Sequence, residues 1–149
     1  MIRILHIIGK MDRAGAETML MNLYRNIDHS KIQFDFVTFT TDKGDYDEEI
    51  IAMGGKVIPI LAKNSIGRFF KLQQFLKANP EYEIIHSHVL LNNAFHLMAA
   101  KSAGINHRIS HSHNTSNGTN SKLKKLYEIR AKKTIQKLAT YRIACGVEA

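Results

Sequence analysis

Five apolar residues, Ile2, Ile4, Leu5, Ile7 and Ile8, open the chain and lead into a loop, Gly9-Lys10-Met11-Asp12-Arg13-Ala14-Gly15. A short, nearly continuous apolar run of this kind suits a buried parallel strand. A helix is expected from about Ala16-Glu17, with Leu20, Leu23 and Ile27 on one face, a spacing of three and four. A strand that passes through glycines into a helix leaves backbone N–H groups free at the carboxyl edge of its sheet. Those donors, with the positive end of the helix dipole, favour a phosphate or carboxylate. Gly15 lacks a Cβ, so a ligand can come close to its backbone. Five residues separate Gly9 from Gly15, which is not the G-x-G-x-x-G spacing. Lys10 lies at the loop's start, so this is not a Walker loop either. An anion site and a structural turn that needs glycine for its shape both stay open as readings.

The same alternation continues along the chain. Ile32 to Thr40 reads as a second strand, and Asp45 with Glu48 forms a capping-box pattern for a short helix that Gly54-Gly55 stops. The acidic residues there read as solvated charges that complement the helix dipole. Val57 to Leu61 is a third strand. Asn64-Ser65 can cap a helix with Phe69, Leu72 and Leu76 inward, which ends at Asn79-Pro80. Glu83 to His88 is a fourth strand, Asn92 to Ala103 a nearly all-apolar buried helix, and His107 to His111 a fifth strand. A polar loop, His113 to Asn120, precedes a basic amphipathic helix from Ser121 to about Ala139 with Leu123, Leu126, Ile135 and Leu138 inward. Thr140 to Cys145 is a sixth strand, and Val147-Glu148-Ala149 reads as the first turn of another helix. The expected fold is therefore α/β: one three-layer α/β/α domain over residues 1–149 on a mostly parallel sheet of about six strands. Right-handed crossovers put every strand's carboxyl end on one edge, where such folds bind ligands.

At 149 residues the chain is long enough for a real core, and no apolar run approaches a membrane span. Its amino terminus has no export-signal pattern. A single cysteine, Cys145, excludes an internal disulfide and fits a reducing cytoplasm; in an apolar strand it reads as a buried structural thiol. The net charge of +8 is concentrated between Ser121 and Arg142, where eight basic residues stand against Glu128 alone. That segment has no helix-turn-helix partner, zinc spacing or aromatic platform, so nucleic acid is not the expected partner. A solvated face and contact with an anionic membrane surface are the two readings kept.

Three stretches converge on the ligand-binding edge: the Gly9–Gly15 loop, His86-Ser87-His88, and His111-Ser112-His113-Asn114. Histidines two apart on a strand share a face. The inner members, His86 and His111, read as core or edge histidines bonded to backbone. His88 and His113 read as donors to sugar hydroxyls or phosphate. Zinc on the His-x-His pairs is a third reading, disfavoured because no carboxylate or supporting partner is visible beside them. Glu17, the acid next to the glycine loop, suits either ligand contact or a first helical turn.

Taken together, Ile4-Leu5-His6-Ile7-Ile8-Gly9, Asp12-Arg13-Ala14-Gly15-Ala16-Glu17-Thr18, Ile85-His86-Ser87-His88 and His111-Ser112-His113-Asn114-Thr115-Ser116 resemble the amino-terminal domain of retaining, family-4 glycosyltransferases, most closely the bacterial enzymes of capsule and exopolysaccharide synthesis. The resemblance implies one Rossmann-like half of a two-domain GT-B fold. This half would face the acceptor, and a carboxyl-terminal half absent from this chain would hold the nucleotide sugar. It implies that the loop at Ala14 and Gly15, with Glu17, meets the donor, that His88 reaches the transferred sugar as the catalytic histidine, and that His113 and Asn114 line the acceptor side. It further implies transfer with retention to a saccharide or lipid-linked acceptor, with no metal or other cofactor, in the cytoplasm or at the inner face of the membrane. Relatives usually carry Gly-Gly before Ala-Glu; here Ala14 takes the first position. An isolated half is expected to fold without turning over. The alternative expectation is a non-catalytic Rossmann-like module that binds a nucleotide or sugar phosphate.

Overall fold

In the computed structural model, which describes residues 1–113 and 121–145, strands and helices alternate throughout. The order is β1 (Ile2–Gly9), α1 (Gly15–Arg25), β2 (Ile32–Thr38), α2 (Asp47–Ala52), β3 (Val57–Pro59), α3 (Ser65–Ala78), β4 (Tyr82–Ser87), α4 (Asn93–Ser102), β5 (His107–Ser112), α5 (Lys122–Leu138) and β6 (Tyr141–Ala144). A single 3-10 turn, Leu90–Asn92, precedes α4. The sheet runs β3-β2-β1-β4-β5-β6, and every pairing is parallel. The chain starts in the middle, builds outward one way, then crosses back beside β1. That reversal makes the gap above β1 and β4 the switch point of the sheet.

Alternation along the strands sorts side chains into two layers. Leu5, Ile7, Val37 and Ile85 pack with Leu72 and Leu76 of α3, Leu97 of α4 and Leu138 of α5. On the opposite face Ile4, Ile8, Phe34 and Phe36 pack with Leu20, Met21 and Tyr24 of α1 and Ile50 of α2. That second cluster has no member from β4, β5 or β6. The apolar layer on this face therefore ends at β1, and the histidines of β4 and β5 begin where it stops.

Several local expectations shift. In α1 the inward stripe is Leu20, Met21 and Tyr24, while Leu23 is exposed; β2 lies against the later turn of the stripe. Asp45 does not cap α2. That helix starts at Asp47 with no side-chain cap; Asp45 instead accepts from the Arg13 N–H, and Asp47 accepts from the Gly44 N–H. The Asn64 cap of α3 is present, accepting from the Gly67 N–H at 2.8 Å. In α5 the buried residues are Ala131 and Leu138, with Ile135 packed alongside. Leu123 is 81% exposed and Leu126 is 48% exposed, so neither points inward. In the first half of the helix the apolar side chains meet solvent.

One buried carboxylate ties the amino ends of three strands. Asp35 of β2 is fully buried. It accepts from Arg3 Nε at 2.7 Å, Arg3 Nη2 at 2.8 Å, Tyr82 Oη at 2.8 Å and the Lys56 N–H at 2.8 Å. Burial, reinforced by the carboxylate, holds the Tyr82 phenol in its neutral form well above its ordinary pKa.

Candidate functional site

The loop after β1 is held in shape from one side. Gly9 has φ +104°, a left-handed backbone that favours glycine. The Met11 carbonyl accepts from the Tyr46 N–H at 2.9 Å. A Cβ on Gly44 would stand 2.8 Å from that same carbonyl oxygen, so this approach needs glycine. Ala14, the N-cap of α1, is extended at φ −123°, ψ 177° and gives no side-chain cap bond. Any residue adopts that backbone, so alanine in place of the first glycine leaves the loop's shape intact. The N–H groups of the first turn of α1 have no side-chain cap, and a Cβ on Gly15 would meet nothing within 4 Å. The sequence therefore yields an open helix start beside the switch point.

That helix start forms one wall of an open pocket of about 920 Å³. Gly15, Ala16 and Met19 line it from α1, Val89 to Asn92 from the turn before α4, and Tyr127 from α5. His88, His113 and Cys145 complete it at the strand ends. Three of the expected site residues, Gly15, His88 and His113, thus come together on one cavity. Ala14 and Glu17 are not in its lining. Burial, the largest influence on Glu17, raises its carboxyl pKa above the ordinary value. Asn114 lies outside the described residues.

The histidines are arranged as a connected line. β1 and β4 pair His6 with His86 in register, which brings in a histidine that the sequence did not single out. His6 Nδ1 is 3.2 Å from His88 Nε2, and His88 Nδ1 is 3.0 Å from His113 Nε2. His113 Nδ1 is 3.3 Å from Cys145 Sγ, which is 3.3 Å from His111 Nε2. Cys145 is exposed, not the buried thiol expected, because β6 is an edge strand whose end turns onto the pocket. His88 is 7% exposed, deeper than a freely ligand-facing donor, yet it still forms pocket wall.

Burial is the main reason these rings stay neutral. It lowers His6 and His88 far below the ordinary imidazole range, His86 to about 3 and His111 to about 4, and it also lowers His113. Neighbouring imidazoles add to the shift at His6, His86, His88 and His111. A neutral imidazole has one N–H and one lone pair. If His88 donates to His113, it must accept from His6; if it donates to His6, it must accept from His113. The His6–His88–His113 line therefore has a direction. Among the described residues, three buried ring nitrogens, His6 Nε2, His86 Nε2 and His111 Nδ1, have no hydrogen-bond partner.

Beneath the line a fully paired amide fixes the strand ends. Asn93 Oδ1 accepts from Ser87 Oγ at 2.7 Å and from the Val89 N–H at 2.7 Å. Its Nδ2 donates to the Ser87 carbonyl at 3.1 Å and to Ser110 Oγ at 2.9 Å. Since the Ser87 proton goes to Asn93, the 2.8 Å contact from His96 Nδ1 to Ser87 Oγ places the proton on His96 Nδ1. No motif marked Asn93 or His96; each lies in an apolar helix whose polar members become legible only through their partners. Leu90, in the turn above, holds φ +45°, a strained backbone at the pocket wall.

No protein-family model matches the chain. Over 151 aligned residues it is 39% identical to the protein named "Putative glycosyltransferase EpsF" of Bacillus subtilis (strain 168); the match covers 99% of this chain and 39% of that protein. It is 28% identical over 111 residues to the capsular polysaccharide biosynthesis glycosyltransferase CapH of Staphylococcus aureus, covering 74% of this chain and 30% of CapH. Among solved structures, Acinetobacter baumannii MurG superposes with a TM-score of 0.64 at 10% identity, over 97% of this chain and 41% of MurG. Anabaena Alr3699/HepE, solved with UDP and glucose, superposes with a TM-score of 0.62 at 14% identity, over 95% of this chain and 38% of that one. The chain thus spans well under half the length of these proteins. It has the Rossmann-like α/β fold expected of half a GT-B glycosyltransferase, and its sequence is similar to a stretch of two proteins that carry the glycosyltransferase name.

Proposed function

We propose that this chain is the acceptor-side half of a retaining glycosyltransferase that moves a sugar from a nucleotide sugar to a saccharide or lipid-linked acceptor without a metal. The observation that carries the reading is the meeting of the uncapped α1 start at Gly15 with His88 and His113 on one 920 Å³ pocket at the switch point. N–H groups at a helix start suit the donor's diphosphate. A neutral His88 suits a sugar hydroxyl, to which it offers one donor or one acceptor. His88 acts by positioning the transferred sugar through a hydrogen bond. Its depressed basicity argues against a role as a proton-accepting general base near neutral pH. Donor specificity belongs to a second domain, so the chain alone binds weakly and does not turn over.

The exposed half of α5 supports a place at a membrane surface. Leu123, Leu126 and Ile129 stand in solvent among Lys122, Lys124, Lys125 and Arg130, a composition suited to an anionic lipid face. No helix among the described residues is long and apolar enough to cross a membrane.

The test is a two-dimensional NMR titration of the chain with UDP, UDP-glucose and short saccharides. Shifts at Gly15, His88 and His113 together are expected. Shifts confined to the lysines of α5 would reduce binding to charge attraction and overturn the reading. Saturable nucleotide binding by a two-domain protein that transfers no sugar would favour the binding-module alternative.

A further inference from the structure

We infer that His88, His111, His113 and Cys145 form a binding site for one divalent transition metal of the zinc class. Each of the three histidines offers one ring nitrogen, and the three nitrogens lie within 4.8 Å of one another. Zinc bound to imidazole at about 2.0–2.1 Å and to thiolate at about 2.3 Å sets neighbouring ligand atoms roughly 3.3–3.7 Å apart in a tetrahedron. The observed spacings of 3.0 Å from His88 Nδ1 to His113 Nε2 and 3.3 Å from Cys145 Sγ to His111 Nε2 are already near that value. Two strand ends supply the nitrogens and a third supplies the sulfur; Cys145 Sγ faces His113 Nδ1 while His88 faces His113 Nε2, so the sulfur joins the set when the His113 ring turns.

Two further observations point to a ligand. His111 is 4% exposed, and Cys145 Sγ stands 3.3 Å from its Nε2 and 3.3 Å from His113 Nδ1, so the sulfur meets two of the three rings. The set also opens on the pocket, because His88, His113 and Cys145 all line it. A second cluster, His6, His86 and His88, has the same spacing, but His6 and His86 do not line the pocket. It shares His88 with the first, so the two cannot be filled at the same time. Imidazole with thiolate selects zinc, cobalt or copper over magnesium and calcium, which take oxygen.

The site stands apart from the proposed transfer reaction, which uses no metal. The two compete for His88 and His113, so an occupied site closes the pocket to a sugar hydroxyl.

The experiment is a cobalt(II) titration of the chain free of added histidine tags, read by visible and near-ultraviolet absorption, with zinc displacement and metal analysis. Saturation at one cobalt per chain, intense tetrahedral d–d bands and a sulfur-to-cobalt charge-transfer band are expected, all removed by zinc and untouched by magnesium. Cys145→Ser should abolish the charge-transfer band, and His113→Asn should weaken binding by more than about tenfold. Both sites are at strand ends, and circular dichroism checks that the variants fold. Absence of saturable d–d absorption in the unaltered chain overturns the site. A cobalt spectrum that Cys145→Ser and His113→Asn leave unchanged overturns it equally.

Discussion

Two buried polar networks sit at opposite ends of the same sheet, and they are built on different principles. At the amino ends, Asp35 pairs with Arg3 and meets four donors, from Arg3, Tyr82 and Lys56. At the carboxyl ends, burial holds His6, His86, His88, His111 and His113 neutral, and three of their nitrogens have no partner among the described residues. A network with every bond made stabilises one arrangement; one with bonds left over can still take a ligand. The first network therefore belongs to stability, and the second is the one we propose to bind.

The largest effect should come from the first. Asp35→Ala strands a buried Tyr82 hydroxyl and leaves Arg3 without its carboxylate. The expected loss is about 3–5 kcal/mol in urea unfolding, while ligand-induced shifts at Gly15 and His113 persist wherever the chain is folded. Loss of those shifts in a folded Asp35→Ala chain would break the separation of roles. Next is Asn93→Ala, which unpairs the Val89 N–H and the Ser87 and Ser110 hydroxyls. A loss of about 2–3 kcal/mol is expected, together with altered shifts at His88, since this amide fixes the turn that follows it. An unchanged His88 environment would show that the line of rings does not depend on the amide beneath.

Acid provides a third test. His96 is buried, and desolvation lowers its pKa to about 3 from an unfolded value of 6.5. The unfolded chain then binds the proton more readily than the folded one. The stability from neutral His96 is fully present above pH 6.5 and is lost as pH falls toward about 3. Between pH 7 and pH 5 this amounts to about 2 kcal/mol. His96→Gln should shrink the difference between urea midpoints measured at those two pH values; an undiminished difference would assign the acid sensitivity elsewhere. The smallest effect on stability is expected at α5, where Lys124→Glu with Lys125→Glu should change unfolding by under about 0.5 kcal/mol. The same pair should remove sedimentation with anionic liposomes, and binding that survives would return these lysines to a solvated face.

The alternation of apolar runs and helical stripes made the sheet readable, because burial on both faces leaves an unmistakable pattern at β1, β4 and α4. That Gly15, His88 and His113 meet on one pocket was readable because residues at strand ends share an edge in any parallel sheet. His6 was not, since its place beside His86 follows from the β1–β4 register, which no local pattern encodes. Cys145 was misread for a related reason: an apolar strand looks interior until its neighbours are counted, and β6 has one. Leu123 and Leu126 show the limit of helical periodicity, which locates a stripe but not how far the sheet extends beneath it. Asp35 carried no mark in the sequence; its partners come from β1, β4 and the residue before β3.

The directed line of imidazoles gives the pocket a reach beyond its walls. A ligand that donates to His113 or accepts from it chooses which way the protons of His88 and His6 point. The choice is registered at His6, which is 1% exposed and packed against Phe34 in the apolar layer, without movement of any strand. Nitrogen-15 shifts of the His6 ring, which distinguish the two tautomers, should therefore report what the pocket holds from a position that no ligand touches.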